Sequence, residues 1–171
     1  YNGRPVKKAA FEKPADGLSL SVEDGRILLS ATKDGRYNGV QLVITDVDGW
    51  TFKTDSYRFL VDSAVPEVAL VENVDGTWVK NSVRVSVTAK DSNALKPLEY
   101  SLDLGRTWQR LASNRETIDI SALEDGVVAM SVRAIDEVGK QGFVSFSVLK
   151  DTAAPKAEVV VPVAEARVNG E

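Results

Sequence analysis

The feature that most constrains the fold is a repeated joint. Asp62-Ser63-Ala64-Val65-Pro66 returns as Asp151-Thr152-Ala153-Ala154-Pro155, 89 positions later. An alternating apolar run precedes each joint. Another follows it, Glu67-Val68-Ala69-Leu70-Val71 and Glu158-Val159-Val160-Val161. A period of that length, flanked by strand patterns, is the spacing of β-sandwich domains in tandem.

Alternation with a period of two dominates the chain, and no helix-length stretch carries a 3.6-residue spacing. Val83-Arg84-Val85-Ser86-Val87-Thr88-Ala89 is the plainest case, apolar at every odd position. Val128, Met130, Val132 and Ala134 make a second stripe, Val144, Phe146 and Val148 a third, and Ile118 with Ile120 a shorter one. Turn signals at Asp75-Gly76, Asp125-Gly126 and Val138-Gly139 divide them. Strands are expected near 67–72, 78–80, 83–90, 98–103, 107–111 and 116–121, with a long hairpin in 127–149. Counting the first short pair as one edge region, that is about seven strands in under a hundred residues. The pattern predicts an all-β, two-sheet immunoglobulin-like or fibronectin-III-like sandwich.

The first 62 residues echo the back half of that unit. Leu18 to Arg26 aligns with Leu98 to Arg106, and Val40 to Gly49 with Met130 to Gly139. Residues 1–17 show no clear alternation. The expected organisation is a partial or short domain over 1–62, a sandwich over 63–150, and a linker with the first strand of a further, truncated repeat over 151–171. Val168-Asn169-Gly170 is that strand's turn.

Composition removes whole classes of chemistry. The 171 residues contain no Cys and no His, so thiolate nucleophiles, disulfides, cysteine zinc sites and Ser-His-Asp triads are excluded within them. The net charge is −4 with both signs interspersed, and Lys7-Lys8 is the only adjacent basic pair, which argues against nucleic acid as a partner. No apolar run is long enough for a membrane-spanning helix.

These residues resemble a known family. The joint Asp151 to Pro155, the hairpin Tyr100 to Trp108, and Val132-Arg133-Ala134-Ile135-Asp136-Glu137-Val138-Gly139 are similar to the tandem immunoglobulin-like repeats of bacterial surface and exported proteins. The resemblance covers 62–155 best and 18–62 less well. It implies a secreted, periplasmic or cell-surface location and a structural or adhesive role beside neighbouring repeats, and it accommodates a protein or glycan ligand. Ser101-Leu102-Asp103-Leu104-Gly105-Arg106-Thr107-Trp108 also fits the Asp-box of sialidases and related propellers. A propeller needs at least four blades of four strands, so Ser101, Asp103, Gly105, Thr107 and Trp108 are read as a hairpin-stabilising turn.

The remaining candidates follow from residue chemistry. Asp46-Val47-Asp48-Gly49 begins like a calcium loop, but Tyr57 stands where the twelfth-position Glu belongs, so a hairpin tip is expected. Asp62, Pro66, Asp151 and Pro155 are the interdomain joints, and calcium held there by distant loops stays open. Trp50, Trp78 and Trp108 each sit beside a turn. Core-edge packing is expected of them, with Trp78 the one most expected to be exposed and the candidate for ligand contact. No catalytic residue and no resident cofactor is assigned.

The reading is a non-catalytic stalk or adhesive array, with self-association through edge strands as a further route to partners. A carbohydrate-binding accessory module of a secreted glycoside hydrolase is the alternative, and a sialidase-like fragment is a third.

Overall fold

The computed structural model describes residues 4–158. It is all-β. Its fifteen strands are β1 (Val6–Phe11), β2 (Leu18–Glu23), β3 (Arg26–Ala31), β4 (Gly35–Val40), β5 (Leu42–Asp46), β6 (Thr51–Lys53), β7 (Tyr57–Val61), β8 (Glu67–Leu70), β9 (Trp78–Val79), β10 (Ser82–Lys90), β11 (Glu99–Ser101), β12 (Gln109–Arg110), β13 (Arg115–Asp119), β14 (Gly126–Ile135) and β15 (Gln141–Lys150). No helix among the described residues is long and apolar enough to cross a membrane. The anticipated strand from Val159 and its turn lie outside the described residues.

The chain forms two compact units. Among the described residues, the first comprises residues 4–67 together with Lys90–Lys96 and Ile135–Gly142, and the second comprises Val68–Ala89, Pro97–Ala134 and residues 143–158.

In the second unit, one sheet runs β13-β10-β8 and the other β12-β11-β14-β15-β9. Alternation explains why they close on each other. Val83, Val85 and Val87 of β10 and Ile118 of β13 are buried on one sheet, and Val128, Met130, Val132 and Ala134 of β14 with Phe146 and Val148 of β15 on the other. Each side chain of this kind contributes roughly 1.5–3 kcal/mol on full burial. The stripe of β15 does not end on a hydrocarbon. Lys150 follows Val148 inward and is only 4% exposed; its ammonium is held by Asp125 at 2.7 Å.

The first unit is built from β1-β5-β6, β2-β3 and β4-β7. Among the described residues, its buried apolar side chains are those of Val40, Ile44 and Pro66. Two features depart from the sequence reading. Residues 6–11 form a strand paired with β5, although no alternation marks it, because a bulge between Val6 and Lys8 breaks the register. The echo of 98–106 in 18–26 also joins non-equivalent strands. β11 lies beside β14, whereas β5 lies between β1 and β6. β2 instead folds onto β3, with Glu23 opposite Arg26. Asp24 and Gly25 take up φ of 49° and 72° between them, the left-handed pair a two-residue hairpin needs.

Candidate functional site

The hairpin between β11 and β12 is tied by its own side chains. Asp103 Oδ1 accepts from Thr107 N at 2.9 Å, and Oδ2 accepts from Thr107 Oγ1 at 2.5 Å. Ser101 Oγ donates to Asp103 Oδ1 at 2.7 Å and accepts from Gly105 N at 2.8 Å. The Thr107 hydroxyl and amide, then Ser101, hold the Asp103 carboxyl down at about 2, from 3.8. Trp108 Nε1 donates to Gly105 O at 3.0 Å. Its ring lies 6.0 Å from Phe143 and carries Arg133 over its face at 4.1 Å. Arg133 also pairs with Glu99 at 2.6 Å. Every polar atom named here is engaged within the hairpin and its immediate support.

The joints belong to a set of fasteners that occurs once in each half of the chain. Asp62 Oδ1 accepts from Ala64 N at 3.0 Å, as Asp151 Oδ1 accepts from Ala153 N at 2.8 Å. Beside them, Asp34 accepts from the Ser63 hydroxyl at 2.7 Å, and Asp125 accepts from Thr152 N and Oγ1 at 3.0 and 2.8 Å. Lys150, and then Thr152, lower the Asp125 carboxyl to about 2; Ser63 lowers that of Asp34. The hairpin tips agree too. Asp46 Oδ1 accepts from Trp50 N at 2.9 Å and from Asp48 N at 3.0 Å, so this is a turn, as expected. Asp136 Oδ1 accepts from Lys140 N at 2.8 Å. Pro66 is buried and Pro155 is exposed.

At the second oxygens the two hairpin tips differ. Asp46 Oδ2 has Arg4 at 3.8 Å. Asp136 is fully buried, and its Oδ2 accepts no hydrogen bond. Asp62, Asp91 and Asp136 instead each bring a carboxylate oxygen within 4.8 Å of the others, inside the first unit. Asp91 Oδ1 accepts from Asn93 N at 2.8 Å while its buried Oδ2 accepts none. Asp62 Oδ2 accepts from Asn93 Nδ2 at 2.6 Å. Like charges at that spacing repel by roughly 3.5 kcal/mol or more per pair at an effective dielectric near 20. Asp62 was singled out from sequence as a joint; Asp91 and Asp136 were not. The readable signal was parity, because Asp136 continues the inward series Val128, Met130, Val132, Ala134.

The tryptophans divide. Trp108 packs as expected. Trp50 and Trp78 do not, being 74% and 70% exposed. Trp78 lies on the short strand β9, which pairs parallel to β15 with Trp78 opposite Leu149. A two-residue edge strand cannot cover an indole, so the core-edge expectation fails there.

No protein-family model matches the chain, and no curated protein matches it. Among solved structures, it is similar to the fibronectin(III)-like modules of Clostridium thermocellum CbhA, with 18% identity over 93% of this chain and 86% of that one and a TM-score of 0.53. An endo-β-1,4-mannanase from Thermotoga petrophila aligns with 17% identity over 54% of this chain and 21% of its own, TM-score 0.44. SGBP-B of the Bacteroides ovatus mixed-linkage glucan utilization locus, solved with a mixed-linkage heptasaccharide, aligns with 15% identity over 88% of this chain and 36% of its own, TM-score 0.27. The chain thus spans about a fifth of the mannanase and about a third of the glucan-locus protein. The fibronectin(III)-like likeness agrees with the sandwich fold.

Proposed function

We propose that these residues form a non-catalytic spacing and interaction segment of an exported bacterial protein, built from fibronectin-III-like modules in tandem with neighbouring repeats. The observation that carries this reading is the duplicated set of fasteners. Asp34, Asp46 and Asp62 in the first unit, and Asp125, Asp136 and Asp151 along the second half of the chain, all bind backbone amides or hydroxyls at turns and joints. Acidic groups committed to holding turns are not free to move protons for a substrate. Zero His and zero Cys remove imidazole and thiolate chemistry from this segment.

The test is replacement. Residues 1–158 are exchanged, in the protein that carries them, for an unrelated fibronectin-III-like pair of equal length. A spacer predicts retained function of the parent protein. Loss of function with correct folding and export would contradict it.

A second reading has one observation in its favour, the exposure of Trp78. An uncovered indole is a platform on which a sugar ring can stack. Glycan contact there predicts quenching of tryptophan fluorescence by soluble β-glucan or mannan oligosaccharides, abolished in Trp78→Ala. The sialidase-like reading predicts turnover of a fluorogenic sialoside, and none is expected.

A further inference from the structure

We propose that Asp62, Asp91 and Asp136 form a binding site for a calcium ion within the first unit. Three carboxylates, each from a different loop, bring oxygens within 4.8 Å of one another. Proximity of acids alone is not a site; the fate of their second oxygens is the independent observation. Asp91 Oδ2 and Asp136 Oδ2 are buried and accept no hydrogen bond from the protein, and Asp136 as a whole is 0% exposed. Buried polar atoms without partners are rare in folded proteins, because water has been removed and nothing replaces it. Neither atom has a Lys or Arg within ion-pairing distance among the described residues. The equivalent carboxylate at the other hairpin tip, Asp46, has Arg4 in that role. The cluster lacks a positive charge where its counterpart has one.

The donor set fits a hard cation. All three groups offer oxygen, with no nitrogen or sulfur ligand from His or Cys anywhere in the chain, which favours calcium or magnesium over zinc or copper. Three carboxylates from separate loops suit calcium, which accepts irregular geometry and six to eight oxygens, whereas magnesium demands a near-ideal octahedron and gives up its water reluctantly. The other oxygens of Asp91 and Asp136 are occupied by Asn93 N and Lys140 N. The turns are therefore already set, and the ion would neutralise a preformed site.

The test uses the whole 171-residue chain after chelation with EDTA. Calorimetric titration with CaCl2 should give one ion per chain, and 1 mM calcium should raise the melting temperature of the first unit by several degrees over the EDTA sample. Magnesium should bind at least tenfold more weakly. Asp136→Asn keeps an oxygen for Lys140 N while removing the charge. It should lose at least tenfold in calcium affinity yet melt no lower than the wild type in EDTA, a combination that a purely structural turn residue would not give. If Asp136→Asn does not fold, Asp91→Asn provides the same comparison. Asp46→Asn, at the hairpin tip with Arg4, should bind calcium as the wild type does. No heat and no thermal shift at 10 mM calcium, or undiminished binding in the Asp136 or Asp91 variant, would overturn the proposal.

Discussion

At the scale of single residues, the same chemistry serves two ends. Asp103 and Asp125 are surface carboxylates made more acidic by local hydrogen bonds, each with its pKa lowered to about 2. A carboxyl whose folded pKa is depressed contributes stability that is complete above its unfolded value near 4 and is lost as pH falls towards 2. Stability of the second unit should therefore decline between about pH 4 and pH 2. In Asp103→Asn the decline should be shallower, because that carboxyl no longer titrates. Urea unfolding across this range checks it, and an unchanged slope would remove Asp103 from the explanation. Gly142 makes a different kind of demand. A Cβ placed there would lie 1.7 Å from the carbonyl oxygen of Pro66. Gly142→Ala should cost about 1–3 kcal/mol through forced backbone displacement, measurable as a lower urea midpoint.

At the scale of elements, legibility followed burial. β10 and β14 were plain in the sequence because each keeps one face in the core along its length, so Val83, Val85, Val87 and Val128 to Ala134 fall on alternate positions. β1 was not, because its bulge sets Lys7 and Lys8 side by side and both are exposed. The hairpin Ser101–Trp108 was legible for the opposite reason: its bonds join residues two to four apart, so spacing alone encodes them. The acidic cluster joins three loops distant in sequence, and only the parity of Asp136 hinted that this turn residue faces inward. Ile120, almost fully buried just after β13, tests how much the second core depends on its packing. Ile120→Ala should cost about 2–5 kcal/mol, whereas Leu28→Ala on the largely exposed strand β3 should cost well under that. Similar losses at both positions would contradict the burial assignment.

At the scale of the molecule, one pattern of turn-binding acids accompanies two very unequal cores. The second unit buries two full apolar stripes, while the first buries Val40, Ile44 and Pro66 and leaves Leu28, Leu29, Tyr57 and Trp50 open to solvent. Local opening tracks buried apolar contact, so two regions of one chain can differ widely in the free energy of exposing their amides. Hydrogen exchange read by mass spectrometry at neutral pH, in EDTA, measures this directly. Peptides covering Val83–Ala89, Val128–Ala134 and Val144–Val148 should exchange slowest, and those covering β2 to β7 at least tenfold faster. Equal protection throughout, or slower exchange in the first sixty residues, would contradict a duplicated scaffold whose core is concentrated in its second unit.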